Sequence, residues 1–323
     1  MEEKQRRPRF GSRRSDRLLI AVTIISVLVL AGGIYGVLQA GGSSDKPAII
    51  PFRLSFEAST GKAGQIQQVN LDGSIDGLTD GNSLDQDPSW SPDGRHMAFT
   101  RNGAVYIRDG NGTRALVDST TASSPQWSPD GTQIAYSDQT PNTATEGFIW
   151  IIDANAANKH LVFDPNTGHP PPTNCFGGFV ASWYPGGDRI LYRGNYPDGS
   201  LAVCSVKTDG TDVQTLVHDP AGKALNYSPA LSPDGTLLAF VSNRDGNSLI
   251  YIANADGTNP IALFTDTGNE DSPAWSPDGQ WLAFSSNIAG AMQVYAGHSD
   301  GTGVTRLTTD AQDINPAWVP NEK

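Results

Sequence analysis

Cysteine, methionine and charge are all scarce in this 323-residue chain, which holds two Cys, three Met and 17% Asp, Glu, Lys and Arg. Two cysteines, Cys175 and Cys204, cannot build a disulfide scaffold, and neither sits in a CxxC pair of the metal-binding kind. In an oxidising compartment they can pair as a single bridge; otherwise both are free thiols. Basic residues become rarer still beyond position 17. Residues 1–17 hold seven of them, from Lys4 to Arg17, against Glu2, Glu3 and Asp16, a net of +4. Residues 18–44 carry no charge, so the remainder holds 15 basic and 31 acidic residues, a net of −16. An acidic body repels phosphate backbones, which argues against a nucleic-acid partner.

Glycine (35) and proline (22) are plentiful, so the pattern predicts many turns and few long amphipathic helices. One long apolar run stands out. Leu18 to Leu38, LLIAVTIISVLVLAGGIYGVL, is 21 residues without a charge, enough to cross a hydrocarbon core of about 30 Å as a helix. The basic flank precedes it, which places the N-terminus in the cytoplasm and the rest outside. A cleaved signal peptide would have a shorter apolar region, of about 7–15 residues, ending in an A-x-A-like site. This run ends instead in Val37-Leu38-Gln39-Ala40, so an uncleaved anchor is expected. The expected organisation is a basic cytoplasmic tail (1–17), one transmembrane helix (18–38), a flexible spacer (39–50) and an extracytoplasmic body (51–323), periplasmic or at the cell surface.

The body repeats one phrase. DPSWSPDGRHMAFT starts at Asp87, SPQWSPDGTQIAYS at Ser124, ASWYPGGDRILYR at Ala181, SPALSPDGTLLAFVS at Ser228, SPAWSPDGQWLAFSS at Ser272 and NPAWVP at Asn315. The anchor residues Trp90, Trp127, Trp183, Leu231, Trp275 and Trp318 are separated by 37, 56, 48, 44 and 43 positions. A period of about 40–45 residues signals four-stranded propeller blades. Ser-Pro-Asp-Gly is a turn, with proline pre-setting φ and glycine taking the left-handed position. The Leu-Ala-Phe strand after it is apolar on both faces and must be covered on both, as stacked blades provide. A third strand (LIYIANADG, 249–257) and a short fourth (IALFT, 261–265) complete each unit.

Five anchors begin complete units, but only five residues follow Trp318. Its missing strands lie at the other end of the body: FRLSFEAS (52–59), GQIQQVNLDG (64–73) and DGLTD (76–80). The expected fold is therefore all-β, a six-bladed β-propeller whose last blade combines N- and C-terminal strands and leaves no exposed sheet edge at the seam.

The WSPDG…IAF…IYI…DG…LT phrase resembles the WD-type propeller repeat of TolB-like proteins across nearly all of 51–320. The resemblance implies an envelope-associated propeller. TolB-type proteins carry an α/β domain ahead of the propeller, whereas here only residues 39–51 separate the anchor from the first strand. Such repeats also occur in periplasmic adaptors, in prolyl-peptidase propellers and in some lyases.

Catalytic motifs are few. Gly297-His298-Ser299-Asp300-Gly301 matches G-x-S-x-G literally, but the repeat places Ser299 in a hairpin turn and no histidine follows His298. His96, His160, His169, His218 and His298 are dispersed over different blades and loops, so no metal site is expected. NRDGNS (243–248) lacks the spacing of a calcium loop. No catalytic residue and no cofactor are expected.

Two insertions, SDQTPNTATEG (137–147) and DPNTGHPPPTNCFGG (164–178), fall on one propeller face, and long loops on a rigid scaffold usually carry function. That face also holds Asp85, Asp87, Glu270, Asp271 and Asp313. With His169 and Phe176 of the second insertion, they are the candidate surface for an envelope protein or surface polymer. The competing expectation is that the acids cap strands and the insertions are decoration. A channel-site hydrolase or lyase acting on glycans or peptides, and an extracytoplasmic sensor, are the alternative functions. Cys204 falls on the third strand of the blade that Cys175 leads into, so a bridge pinning the Pro-rich insertion is geometrically reasonable.

Overall fold

The computed structural model describes residues 50–59, 64–139, 147–162, 174–219, 224–265, 268–310 and 312–321. The predicted anchor, His169 and most of both insertions lie outside them. Among the described residues no helix is long and apolar enough to cross a membrane.

Among the described residues twenty-four strands form six antiparallel sheets of four. The inner strands, in chain order, are Asp85–Trp90, Ser123–Trp127, Phe176–Trp183, Asn226–Leu231, Glu270–Trp275 and Asp313–Trp318, heading blades one to six. Each inner strand touches the next and the sixth touches the first, so the ring is closed. Blade six has the order Asp313–Trp318, Leu54–Ser59, Gly64–Val69, Ile75–Gly77, with Leu54 opposite Trp318 and Ala58 opposite Asp313. Both ends of the propeller thus meet in one sheet.

Second strands such as Met97–Arg101 and Leu237–Ser242 are buried on both faces because their side chains fill the wedges between blades. Apolar clusters bridge successive blades. One joins Ile149 and Ile151 of blade two to Val180, Ile190 and Tyr192 of blade three. Another joins Val294 of blade five to Leu54, Phe56 and Trp318 of blade six.

The anchor tryptophans do more than fill space. The indole N–H of Trp183 donates to the carbonyl of Gln126 (3.0 Å), that of Trp275 to Ala230 (3.1 Å) and that of Trp318 to Ala274 (2.9 Å). In each case the acceptor is the residue just before the anchor of the preceding blade. At the seam the link is relayed. Trp90 donates to the Ser55 hydroxyl (3.0 Å), which donates to the carbonyl of Ala317 (3.1 Å). Ser55→Ala would orphan a donor and an acceptor, for an expected loss of about 1–3 kcal/mol in urea unfolding. The same change in a Trp90→Phe background should cost much less; equal costs in both backgrounds would refute the relay.

The Ser-Pro-Asp-Gly turns form a second ring. In the first, the Ser91 hydroxyl donates to the Asp93 carboxylate (2.6 Å) and Gly94 N–H closes on the Ser91 carbonyl (2.9 Å). Asp130, Asp234 and Asp278 repeat this geometry. Hydrogen bonds from the serine hydroxyl hold the Asp93, Asp130 and Asp234 carboxyls below the usual carboxylate range.

Candidate functional site

Antiparallel pairing sets Asp85 opposite Arg101, Phe176 opposite Asn195 and Glu270 opposite Ser286. The start of every inner strand therefore shares one end of the ring with the loops between second and third strands. Here the inner strands bulge. Two residues face one between Gln86 and Ser89, Ser123 and Gln126, Tyr227 and Ala230, and Asp271 and Ala274. At these bulges Asp87, Ser124, Ser228, Ser272 and, in blade six, Asn315 hold left-handed backbone, with φ of 53°, 52°, 45°, 53° and 51°. Each precedes a proline. A left-handed non-glycine residue costs roughly 1–2 kcal/mol, so five in register require surroundings that hold them in place.

Those surroundings are hydrogen bonds, all but one of them between blades. Ser228 donates to Asp271 (2.7 Å) and Ser272 to Asn315 (2.6 Å). Asn315 donates to Glu57 (2.7 Å), whose Oε1 also accepts the Asp87 N–H (2.6 Å); Asp87 then accepts the Ser124 N–H (3.0 Å). Burial, reinforced by the Asp87 carboxylate, pushes the Glu57 carboxyl up to about 7, and burial also raises Asp87.

Blade three breaks the pattern. Its inner strand reads Phe176-Gly177-Gly178-Phe179, and Gly177 and Gly178 carry positive φ where the other blades have their Xaa-Pro pair nearby. A Cβ on Gly178 would collide with the Arg193 carbonyl oxygen. Arg193 lies opposite Phe179 in the register, and its guanidinium stacks over that ring, 4.1 Å from the centroid. The Cys175–Cys204 disulfide, both residues fully buried, ties the start of this strand to the third strand of the same blade. Tyr192 donates to the Cys175 carbonyl (2.8 Å), and Gly194 lies under the bridge, where a Cβ would come within 2.9 Å of Cys204 Sγ.

The inner strands enclose a central channel with a cavity of about 480 Å³. Pro88, Pro229, Pro273 and Pro316, the bulge residues and several anchors form its wall. Asp87 and Arg193 are the charged residues among those that line it.

The sequence-predicted surface residues divide. Asp85 is buried and takes a bidentate pair from Arg101 (2.7 Å to each oxygen). Glu270 is buried and accepts the Ile250 N–H (2.8 Å). Asp313 is buried, and desolvation pushes its carboxyl up to about 6. These three carboxylates belong to the strands they begin, as strand caps would, and not to an exposed surface. Asp87 lines the channel and Asp271 joins the bulge ring. Phe176, half-buried, begins the inner strand of blade three beside Cys175. His169 lies outside the described residues.

Arg193, Phe179 and Glu57 were missed, although the repeat contains a signal for two of them. Three positions beyond the second-strand residue facing each anchor stand Thr100, Ser137, Arg193, Val241, Ser285 and Glu57. Two buried charges in a column of small or neutral residues mark opposite sides of the ring.

Residues 180–323 match the family model described as the TolB beta propeller domain. That stretch, from the inner strand of blade three to the C-terminus, is similar to a TolB propeller. The ring superposes on TolB from Acinetobacter baumannii with a TM-score of 0.71 at 20% identity, over 86% of this chain and 69% of that one. It also superposes on a putative TolB from Agrobacterium tumefaciens with a TM-score of 0.64 at 21% identity, over 84% and 92%. An oligogalacturonate lyase from Vibrio parahaemolyticus shares the ring at 14% identity and a TM-score of 0.51, over 79% and 74%. These likenesses concern the fold. No curated protein matches the chain.

In blade five, Ser299 of the GHSDG run follows the third strand Gln293–His298 in a turn, where Asp300 accepts the Thr302 hydroxyl (2.7 Å). His298 lies against Trp281, centroids 4.0 Å apart, and His96 neighbours Trp127 at 6.0 Å. Among the described residues no three His, Cys, Asp or Glu side chains converge to hold a metal ion.

Proposed function

We propose that this chain is a membrane-tethered, extracytoplasmic binding module that captures a component of the cell envelope at the bulged end of its central channel, without catalysing a reaction on it. The observation that carries this reading is the ring of five left-handed residues held by bonds between blades around an open cavity. Backbone held in an unfavourable region and over-determined by its neighbours is a mark of a ligand clamp. The cavity is of the size that specific ligands occupy. The buried disulfide supports an oxidising compartment, and the basic flank before an uncharged 21-residue run supports a tether with the propeller outside.

The test uses the full-length chain in intact cells, with a photo-crosslinking amino acid in place of Phe179, which is 40% exposed at the channel end. A second chain carries it in place of Ile261, 71% exposed on the outer strand of blade four. A discrete adduct is expected at position 179 and not at 261. Identical adduct patterns at the two positions would refute capture at the channel.

A further inference from the structure

We infer that the channel holds a carboxylate, the free C-terminus of an extended peptide segment, against the guanidinium of Arg193. This rests on the binding reading above and gives it a ligand chemistry.

Arg193 occupies a position that, in blades two and six, accepts a hydrogen bond from the next blade. Ser137 Oγ accepts the Val180 N–H (2.8 Å), and Glu57 Oε1 accepts the Asp87 N–H (2.6 Å). A guanidinium has five donors and no acceptor, so Arg193 cannot play that part. It lies over Phe179 among the channel-lining residues instead. Among the described residues no carboxylate comes within ion-pair distance of it, and its buried Nε has no hydrogen-bond partner. Asp271 acts on it only through space, and burial disfavours its charge. A half-buried, unpaired guanidinium is costly unless something of opposite charge completes it.

The channel narrows the choice of anion. Asp87 lines the same cavity and Glu57 lies directly behind it, so a doubly charged phosphate meets more repulsion than a singly charged carboxylate. The planar fork of arginine matches a carboxylate in two parallel hydrogen bonds. A sugar acid would need partners for its hydroxyls, yet Ser228, Ser272 and Asn315 already spend their side chains on their neighbours. The rest of the wall mixes Ser124, Gln126 and Ser182, which can meet peptide amides, with apolar surface from Pro88, Pro229, Pro273, Ala274 and the half-exposed Phe179. An extended peptide with a terminal carboxylate needs one cation and such walls. Blade three is built to hold that cation still, with the disulfide at one end of its inner strand and the Trp183–Gln126 bond at the other.

The experiment immobilises full-length protein in detergent and exposes it to two randomised hexapeptide pools, one with free C-termini and one with C-terminal amides. Retention is quantified by mass spectrometry. The free-acid pool should be retained roughly ten- to a hundredfold better than the amide pool, the scale of a charge-assisted pair. Arg193→Gln should remove that preference while leaving thermal unfolding intact. If Arg193→Gln does not fold, Phe179→Ala, which removes the stacking platform, should reduce the preference several-fold. Equal retention of both pools would overturn the carboxylate assignment and leave channel capture standing. Retention of neither pool, with crosslinking at position 179 also absent, would overturn both. Displacement of the acid pool by a uronic-acid oligosaccharide or by inorganic phosphate, but not by acetylated alanine, would overturn the peptide assignment in favour of those anions.

Discussion

Trp318→Ala is expected to destabilise the propeller by about 3–5 kcal/mol, a drop in Tm on the order of 10 °C for a domain of this size. Trp318 is 6% exposed and sits where the two ends of the body meet. Its ring packs edge-on to Phe52 at 6.2 Å, its backbone pairs with Leu54, and its indole N–H bonds to Ala274 of blade five. Alanine would leave a cavity between two blades and an unpaired carbonyl at the closure of the ring. A chain ended before Asp313 should fare worse. It would lose the inner strand of blade six and uncover Leu54 and Phe56, and cooperative unfolding should be lost altogether. Ile261→Ala, on an exposed outer strand, is the control and should move Tm by little. Calorimetry of the three chains decides the matter; a Trp318→Ala transition matching that of Ile261→Ala would mean the seam does not hold the ring shut.

Glu57→Gln is expected to act in the opposite direction, and only above acidic pH. The Glu57 carboxyl is raised from 4.5 to about 7, first by burial and then by Asp87. The folded chain therefore keeps a proton that the unfolded chain releases between pH 4.5 and about 7. Across that window stability falls as pH rises, and above pH 7 the whole penalty is present. At about 1.4 kcal/mol per pH unit it is on the order of 3 kcal/mol. Glutamine keeps an oxygen for the Asp87 N–H and the Asn315 amide and removes the buried charge. Tm at pH 8 should rise by roughly 5–10 °C over the parent, with little difference at pH 4.5. Asp313, raised to about 6, titrates with the same sign in both chains and cancels in the comparison. A gain equal at both pH values would show that the Glu57 carboxyl titrates in the folded ring as it does in the unfolded chain.

These two effects share a cause. Closing a circle of wedges puts Glu57 of the N-terminal strand beside Asn315 of the C-terminal one. The same closure sets Glu57 across the ring from Arg193, because blades six and three are opposite members of a circle of six. A charge of each sign is thus held at the channel end by blades that are far apart along the chain.

The architecture was legible because its causes are local and repeated. A Ser-Pro-Asp-Gly turn followed by a strand apolar on both faces defines a wedge by itself, and four such phrases with their variants at Ala181 and Asn315 define the number of wedges. The same count required the strand before Trp318 to find Phe56, since no other segment supplied the missing strands. The site was less legible. Asp85, Glu270 and Asp313 look like surface acids in one dimension, yet each is buried at the head of an inner strand. A carboxylate opposite Arg101 reads like any other until the register is known. Asp87 and Asp271 stood in the same list, and only the bulge turned them toward the cavity and its ring of hydrogen bonds.

By itself, then, the amino-acid order determined the six wedges, the shared last blade and the turn chemistry, because each follows from contacts within about forty residues or from the count of strands. Tertiary structure alone decided which charges face the channel and which indole bonds to which carbonyl. Those outcomes depend on inter-blade distances of about 3 Å, and such distances exist only once the ring has closed.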